Sequence, residues 1–258
     1  MDPSNLSIAP KGGRRMPLAA QAFVAGVIAA GLVAVVASGM PARDPRFWYW
    51  AAACVVGEML WLRLPLGRAT MSMGSTANFA ALLVLPTPIA IQAAALASLA
   101  AERTAMRKPL LRALFNAAGT ALAVGATGMV LKLMAPHGVF ELRNDRLVIA
   151  LASAAATYYV FNRSLVTAVL ALDGALPMAL VWRRNFGISR DLLPSGAALS
   201  LGVLLAELHQ HAGPVALAFA ALPALLIFEA HRRHYSASIL RVEGRPPGLI
   251  EPKRAVNE

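Results

Sequence analysis

Apolar residues run along this chain in blocks rather than in alternating stripes. "LAAQAFVAGVIAAGLVAVVASGM", residues 18–40, carries no charged side chain over more than 20 positions. Blocks of this kind recur at about 17–39, 47–64, 110–134, 147–172, 191–210 and 213–231. Each approaches the roughly 20 apolar residues that a helix needs to cross a hydrocarbon core. The pattern predicts six membrane-spanning helices. Between the second and third blocks, residues 69–101 form a shorter and more irregular apolar region. Pro86-Thr87-Pro88 lies at its centre, and proline both ends helices and disfavours helix in the residue before it. This region is expected to enter and return, as two short helices or as a re-entrant loop. The fold class is an all-α polytopic transmembrane bundle.

Composition agrees. Of 258 residues, 58% are hydrophobic and 14% charged, with mean hydropathy +0.59. A soluble domain carries about 25% charged residues. The formal charge of +11 would suggest nucleic acid on a soluble chain, but its distribution gives a different account. With the amino terminus in the cytoplasm, eighteen of the 24 Lys and Arg residues fall on the cytoplasmic side. Arg43, Arg46, Lys132, Arg143 and Arg146 fall outside, and Arg163 lies within a span. Cytoplasmic loops collect basic residues. Both termini are therefore expected in the cytoplasm, and no nucleic-acid partner is needed. A basic segment at 1–16 precedes a membrane domain at 17–234. A polar, proline-bearing tail at 235–258 reads as disordered. The first block is longer than a signal-peptide core and lacks a clean A-x-A site, so an uncleaved anchor is expected.

Three features could carry chemistry. The first is "ATMSMGSTANF", where Thr70, Ser72, Thr76 and Asn78 sit in near-alternation with apolar residues. Period two favours an extended chain. Irregular backbone at membrane depth survives only where protein buries it or it lines a wet cavity. The stretch is either a pocket lining or the polar loop before the next helix. The second feature is an ionisable pair, Glu58 and Arg163, each inside a span. Arg163 lies about 14 Å from its span's cytoplasmic end, at 1.5 Å per residue. A helical side chain leans toward the amino terminus, here away from that interface, so Arg163 needs an internal partner. Glu58 matches it best in depth. The pair either binds an anionic or polar ligand or locks helix register. The third feature is a repeated Phe-Asn step at Phe115-Asn116 and Phe161-Asn162. Asparagines in spans hydrogen-bond across helices.

His209 and His211 fall at the outer end of one span, and His231 and His234 at the inner end of the next. They cannot share a four-ligand metal site, and the basic "HRRH" is expected to meet anionic headgroups. The single Cys54 supports no disulfide framework. No P-loop, H-E-x-x-H, G-x-S-x-G or C-x-x-C motif occurs, and "PSG" around Ser195 lacks a nucleophile-elbow context. No enzyme activity and no cofactor are expected.

Glu58, Arg63-Leu64-Pro65, the polar 70–79 stretch, Phe115-Asn116, "YVFN" at 159–162 and "WRRNF" at 182–186 together have a likeness. Over about 47–232 the chain resembles the amino-terminal membrane module of bacterial signalling proteins that carry HD-GYP or GGDEF output domains. That resemblance implies a sensory or ligand-binding module in the bacterial inner membrane, acting through a cytoplasmic signalling partner. No output domain is expected after residue 232, and the family carries a small polar residue where this chain has Arg163. A weaker likeness to substrate-binding subunits of energy-coupling-factor transporters implies the alternative: a solute-capture subunit with an ATPase partner. A homo-oligomer is compatible with either.

Overall fold

The computed structural model describes residues 16–39, 44–63, 70–186 and 191–220, with residues 225 and 229 beyond them. The expected basic segment before residue 16, His231, His234 and the tail at 235–258 lie outside the described residues.

Eight helices of eight residues or more, a 3-10 turn at Val139–Glu141 and one small hairpin are the main elements of the described chain. Helix α1 spans Leu18–Ala37 and α2 spans Pro45–Met59. Strands β1 (Trp61–Arg63) and β2 (Thr70–Ser72) pair antiparallel, with Leu62 opposite Met71. Then come α3 (Gly74–Val84), α4 (Thr87–Thr104), α5 (Leu110–Met134), α6 (Asn144–Gly174), α7 (Met178–Asn185) and α8 (Leu193–Ala212). The chain is helical again over 215–220. That is where the expected last span at 213–231 begins, before it passes outside the described residues.

Local sequence explains the breaks. Asp44 caps α2, its carboxylate accepting the Arg46 backbone N–H at 2.9 Å, and Pro45 occupies the first turn, where a missing N–H costs nothing. Leu85 is extended before Pro86, which ends α3 and sets the entry to α4. The expected in-and-out region at 69–101 is thus two helices meeting at Leu85-Pro86. Ala175, at φ 47°, ends α6, and Pro177 starts α7 after a bend of 119°.

Two expectations change. The alternation at 70–78 predicted an extended chain, but only Thr70–Ser72 is a strand, and Thr76 and Asn78 lie on α3. Six spans were also expected. Among the described residues, two helical stretches, Leu18–Ala37 and Leu110–Glu141, are long and apolar enough to cross a membrane. A third qualifies if α6 and α7 count as one bent span. For the second block the reason is a short helix. Helix α2 stops after 15 residues, about 22 Å at 1.5 Å per residue against a core of about 30 Å, because the chain turns into the β hairpin. Helices α3 and α4 are interior elements whose buried residues include Asn78, Gln92, Ser98 and Glu102.

The core is centred on α3, α4 and α5, with Trp50, Phe79, Val124 and Cys54 fully buried. Small residues set the closest approaches. A Cβ on Gly31 would stand 2.5 Å from the Ala118 Cβ, so α1 and α5 meet through glycine. At Gly202 a Cβ would stand 2.8 Å from the Thr76 carbonyl oxygen, and Thr76 Oγ1 donates to the Ala198 carbonyl at 2.9 Å. These contacts fasten α8 onto α3 and place the start of α8 beside the middle of α6.

Candidate functional site

Two polar clusters form at the ends of these helices. At the α4–α5 turn, Glu102 reaches the end of α4 with only 6% of its surface exposed. Its Oε1 accepts from Lys108 Nζ at 2.6 Å and from Asn116 Nδ2 at 2.6 Å. Arg103 Nη1 donates to the Lys108 carbonyl at 2.6 Å and closes the turn. The Glu102 Oε2 is sealed from the surface and has no hydrogen-bond partner among the described residues. Asn116 therefore does fasten helix to helix, joining α5 to the end of α4.

The second cluster surrounds Arg163 on α6. Its Nε and Nη2 donate to Asp191 Oδ2 and Oδ1 at 2.9 and 2.7 Å, a bidentate pair. Its Nη2 also donates to Ser195 Oγ at 3.1 Å. The guanidinium carbon lies 5.8 Å from the Tyr159 ring centre and 5.4 Å from that of Phe186. The carboxylate partner of Arg163 is thus Asp191 and not Glu58, which corrects the sequence expectation. Asp191 immediately precedes α8, and the attachment of α8 to α3 brings it to Arg163. Glu58 is held elsewhere. It sits in the last turn of α2, beside the amino-terminal end of α3, whose positive end favours a carboxylate. Asn78 Nδ2 donates to its Oε1 at 3.3 Å, and a Cβ on Gly74 would collide with its carboxyl group.

Between the clusters lies a cavity of about 570 Å³, within the range of small-molecule sites. Glu58, Asn116, Asn162 and Arg163, four of the residues singled out from sequence, line it. Asn162 is half-buried, and its carboxamide makes no hydrogen bond among the described residues, so it does not act as interhelical glue. Thr76 and Asn78 lie behind the wall, one bonding α8 and the other Glu58. Thr70 and Ser72 are on β2, and their side chains lie outside the described ones.

Sequence reading missed other wall residues. Tyr158 and Ser98, each 3% exposed, mark the deep part, and Lys108 with the exposed Arg112 marks the rim. Ser195 and Glu102 also line the cavity. One signal was available for Asp191: it is the sole acid between Asp173 and Glu207, in a segment rich in arginine. Away from the cavity, His209 is buried against Trp50 and Tyr49, with ring centres 5.2 and 5.8 Å apart. No protein-family model, no characterised protein and no solved structure matches this chain.

Proposed function

We propose that the chain is a multi-pass membrane protein without catalytic activity. It binds a small solute in the cavity between α3, α4, α5, α6 and α8 and passes that occupancy to a cytoplasmic partner. The observation that carries this reading is the cavity itself: a polar space of about 570 Å³ walled by helices, with the basic α4–α5 turn at its rim. A cavity lined by Asn, Ser, Tyr and Arg suits recognition of a solute better than it suits packing.

The membrane part of the reading is supported by α1. It is apolar on all sides, yet only 22% of its span window is buried within the bundle. An apolar helix with most of its surface outward calls for lipid. Leu32, Val33 and Val36 on α1 and Met129 and Leu133 on α5 face outward in the same way. With positive-inside orientation, the α4–α5 turn and the rim of the cavity face the cytoplasm. Helix α7 follows the 119° bend, and its exposed Arg183 and Arg184 fit the headgroup layer on that same side.

The test is a thermal-unfolding screen of the purified chain in lipid nanodiscs against small solutes of differing charge. The reading expects at least one group of solutes to raise the transition, and expects the Asn162→Ala substitution to remove that rise. A chain whose transition no solute moves contradicts it. Uptake of the bound solute that depends on an ATPase partner would reassign the chain to solute capture for transport.

A further inference from the structure

The hydrogen-bonding state of the cavity wall indicates what could complete it. Its carboxylates are already engaged. Glu102 Oε1 takes Lys108 and Asn116, its Oε2 is sealed off, and Glu58 takes Asn78. Apart from the sealed Glu102 Oε2, unmet hydrogen-bonding capacity lies with Arg163 and Asn162. Arg163 is held from behind by Asp191, which is not part of the wall, and uses Nε and Nη2 there. Its Nη1 makes no hydrogen bond among the described residues, and neither does the neighbouring Asn162 carboxamide. Both residues line the cavity. A guanidinium fixed by a bidentate pair and by the Tyr159 and Phe186 rings is already oriented, so it loses little freedom on meeting a planar acceptor. Next to these groups, Leu165 and Val166 follow Asn162 on the same face of α6, and with Phe115 on α5 they supply an apolar part of the lining.

We infer that the cavity takes a small monocarboxylate with an apolar body, its carboxylate on Arg163 Nη1 and Asn162 and its body against Phe115, Leu165 and Val166. This rests on the solute-binding reading above. Arg112, exposed at the rim, steers the anion inward. A cation of the same size is disfavoured, because it would have to approach Lys108, Arg112 and Arg163 with no open carboxylate to receive it.

The experiment uses matched probes on the full chain in nanodiscs, with affinity read by calorimetry. Benzoate and phenylacetate are set against benzamide, phenylacetamide and benzylamine. The carboxylates should bind at least about tenfold more tightly than their amides, the difference expected when a charge-assisted bond becomes a neutral one. Asn162→Ala should weaken benzoate about five- to tenfold. It removes no hydrogen bond among the described residues, and an unchanged unfolding transition of the unliganded variant confirms that the fold is kept. The double variant R163Q/D191N removes the pair together, so no single charge is stranded, and should abolish the preference for carboxylate over amide. Arg112→Gln should weaken binding at low salt and matter less at high salt. Tighter binding of benzamide or benzylamine, or benzoate binding indifferent to both Asn162→Ala and the double variant, overturns the carboxylate class and leaves the solute cavity standing. Absence of binding by all three kinds of probe, together with a thermal screen in which no solute registers, overturns both.

Discussion

Arg163 shows how far single residues could be read. Its need for an internal partner followed from helix direction and the cost of a charge at depth, and it has one. The identity of that partner did not follow. Depth matching favoured Glu58, whereas Asp191 is delivered by the way α8 is tied to α3 through Gly202 and Thr76. Such a tertiary contact leaves no mark in local sequence. Asp191→Ala strands a guanidinium that is only 27% exposed and should lower stability by about 2–3 kcal/mol in detergent unfolding. The R163Q/D191N pair should recover most of that loss. Gly74→Ala drives a methyl group into the Glu58 carboxyl and should cost about 1–3 kcal/mol, relieved when Glu58→Ala is added. At the amino-terminal end of α2, the Arg46 guanidinium and backbone N–H hold the Asp44 carboxyl below the usual carboxylate range. A depressed value means its capping contribution is complete above the unfolded-state pKa of about 4 and is lost as pH falls through the folded value. Amide exchange at Arg46 and Phe47 should therefore rise selectively as the pH drops below 4.

At the scale of elements, the apolar blocks located the helices well, because a helix in lipid and a helix in a buried core ask for the same residues. For that reason block length alone could not tell the two apart. Residues 69–101 read as two short helices or a re-entrant loop; they form two helices, α3 and α4, in the interior of the bundle, and α2 stops short at the hairpin. Proline and glycine were the more reliable guides: Pro86 marks the α3–α4 turn, and Gly31 marks the α1–α5 crossing. Ala118 leaves no room beside Gly31, so Gly31→Leu should push α1 off α5 and cost about 1–3 kcal/mol. Loss of cross-linking between α1 and α5 at unchanged expression would register this. Four of the residues first singled out meet in one cavity, but Lys108, Arg112, Tyr158 and Ser195 were not recognisable as its wall, since each looks like ordinary loop or span sequence until the helices are packed.

For the whole molecule, the proposal joins topology to the cavity: a polar space inside a membrane bundle, reached from the cytoplasm. Cys54 is the chain's one cysteine and is fully buried, so Cys54→Ala gives a clean background for a single reporter. The most direct measurement places cysteine at Asn162 in that background and follows its reaction with a charged, membrane-impermeant thiosulfonate in right-side-out and inverted vesicles. The account predicts reaction from the cytoplasmic face only, slowed by any solute that raises the unfolding transition. A cysteine that reacts from the outer face, or from neither, would contradict it.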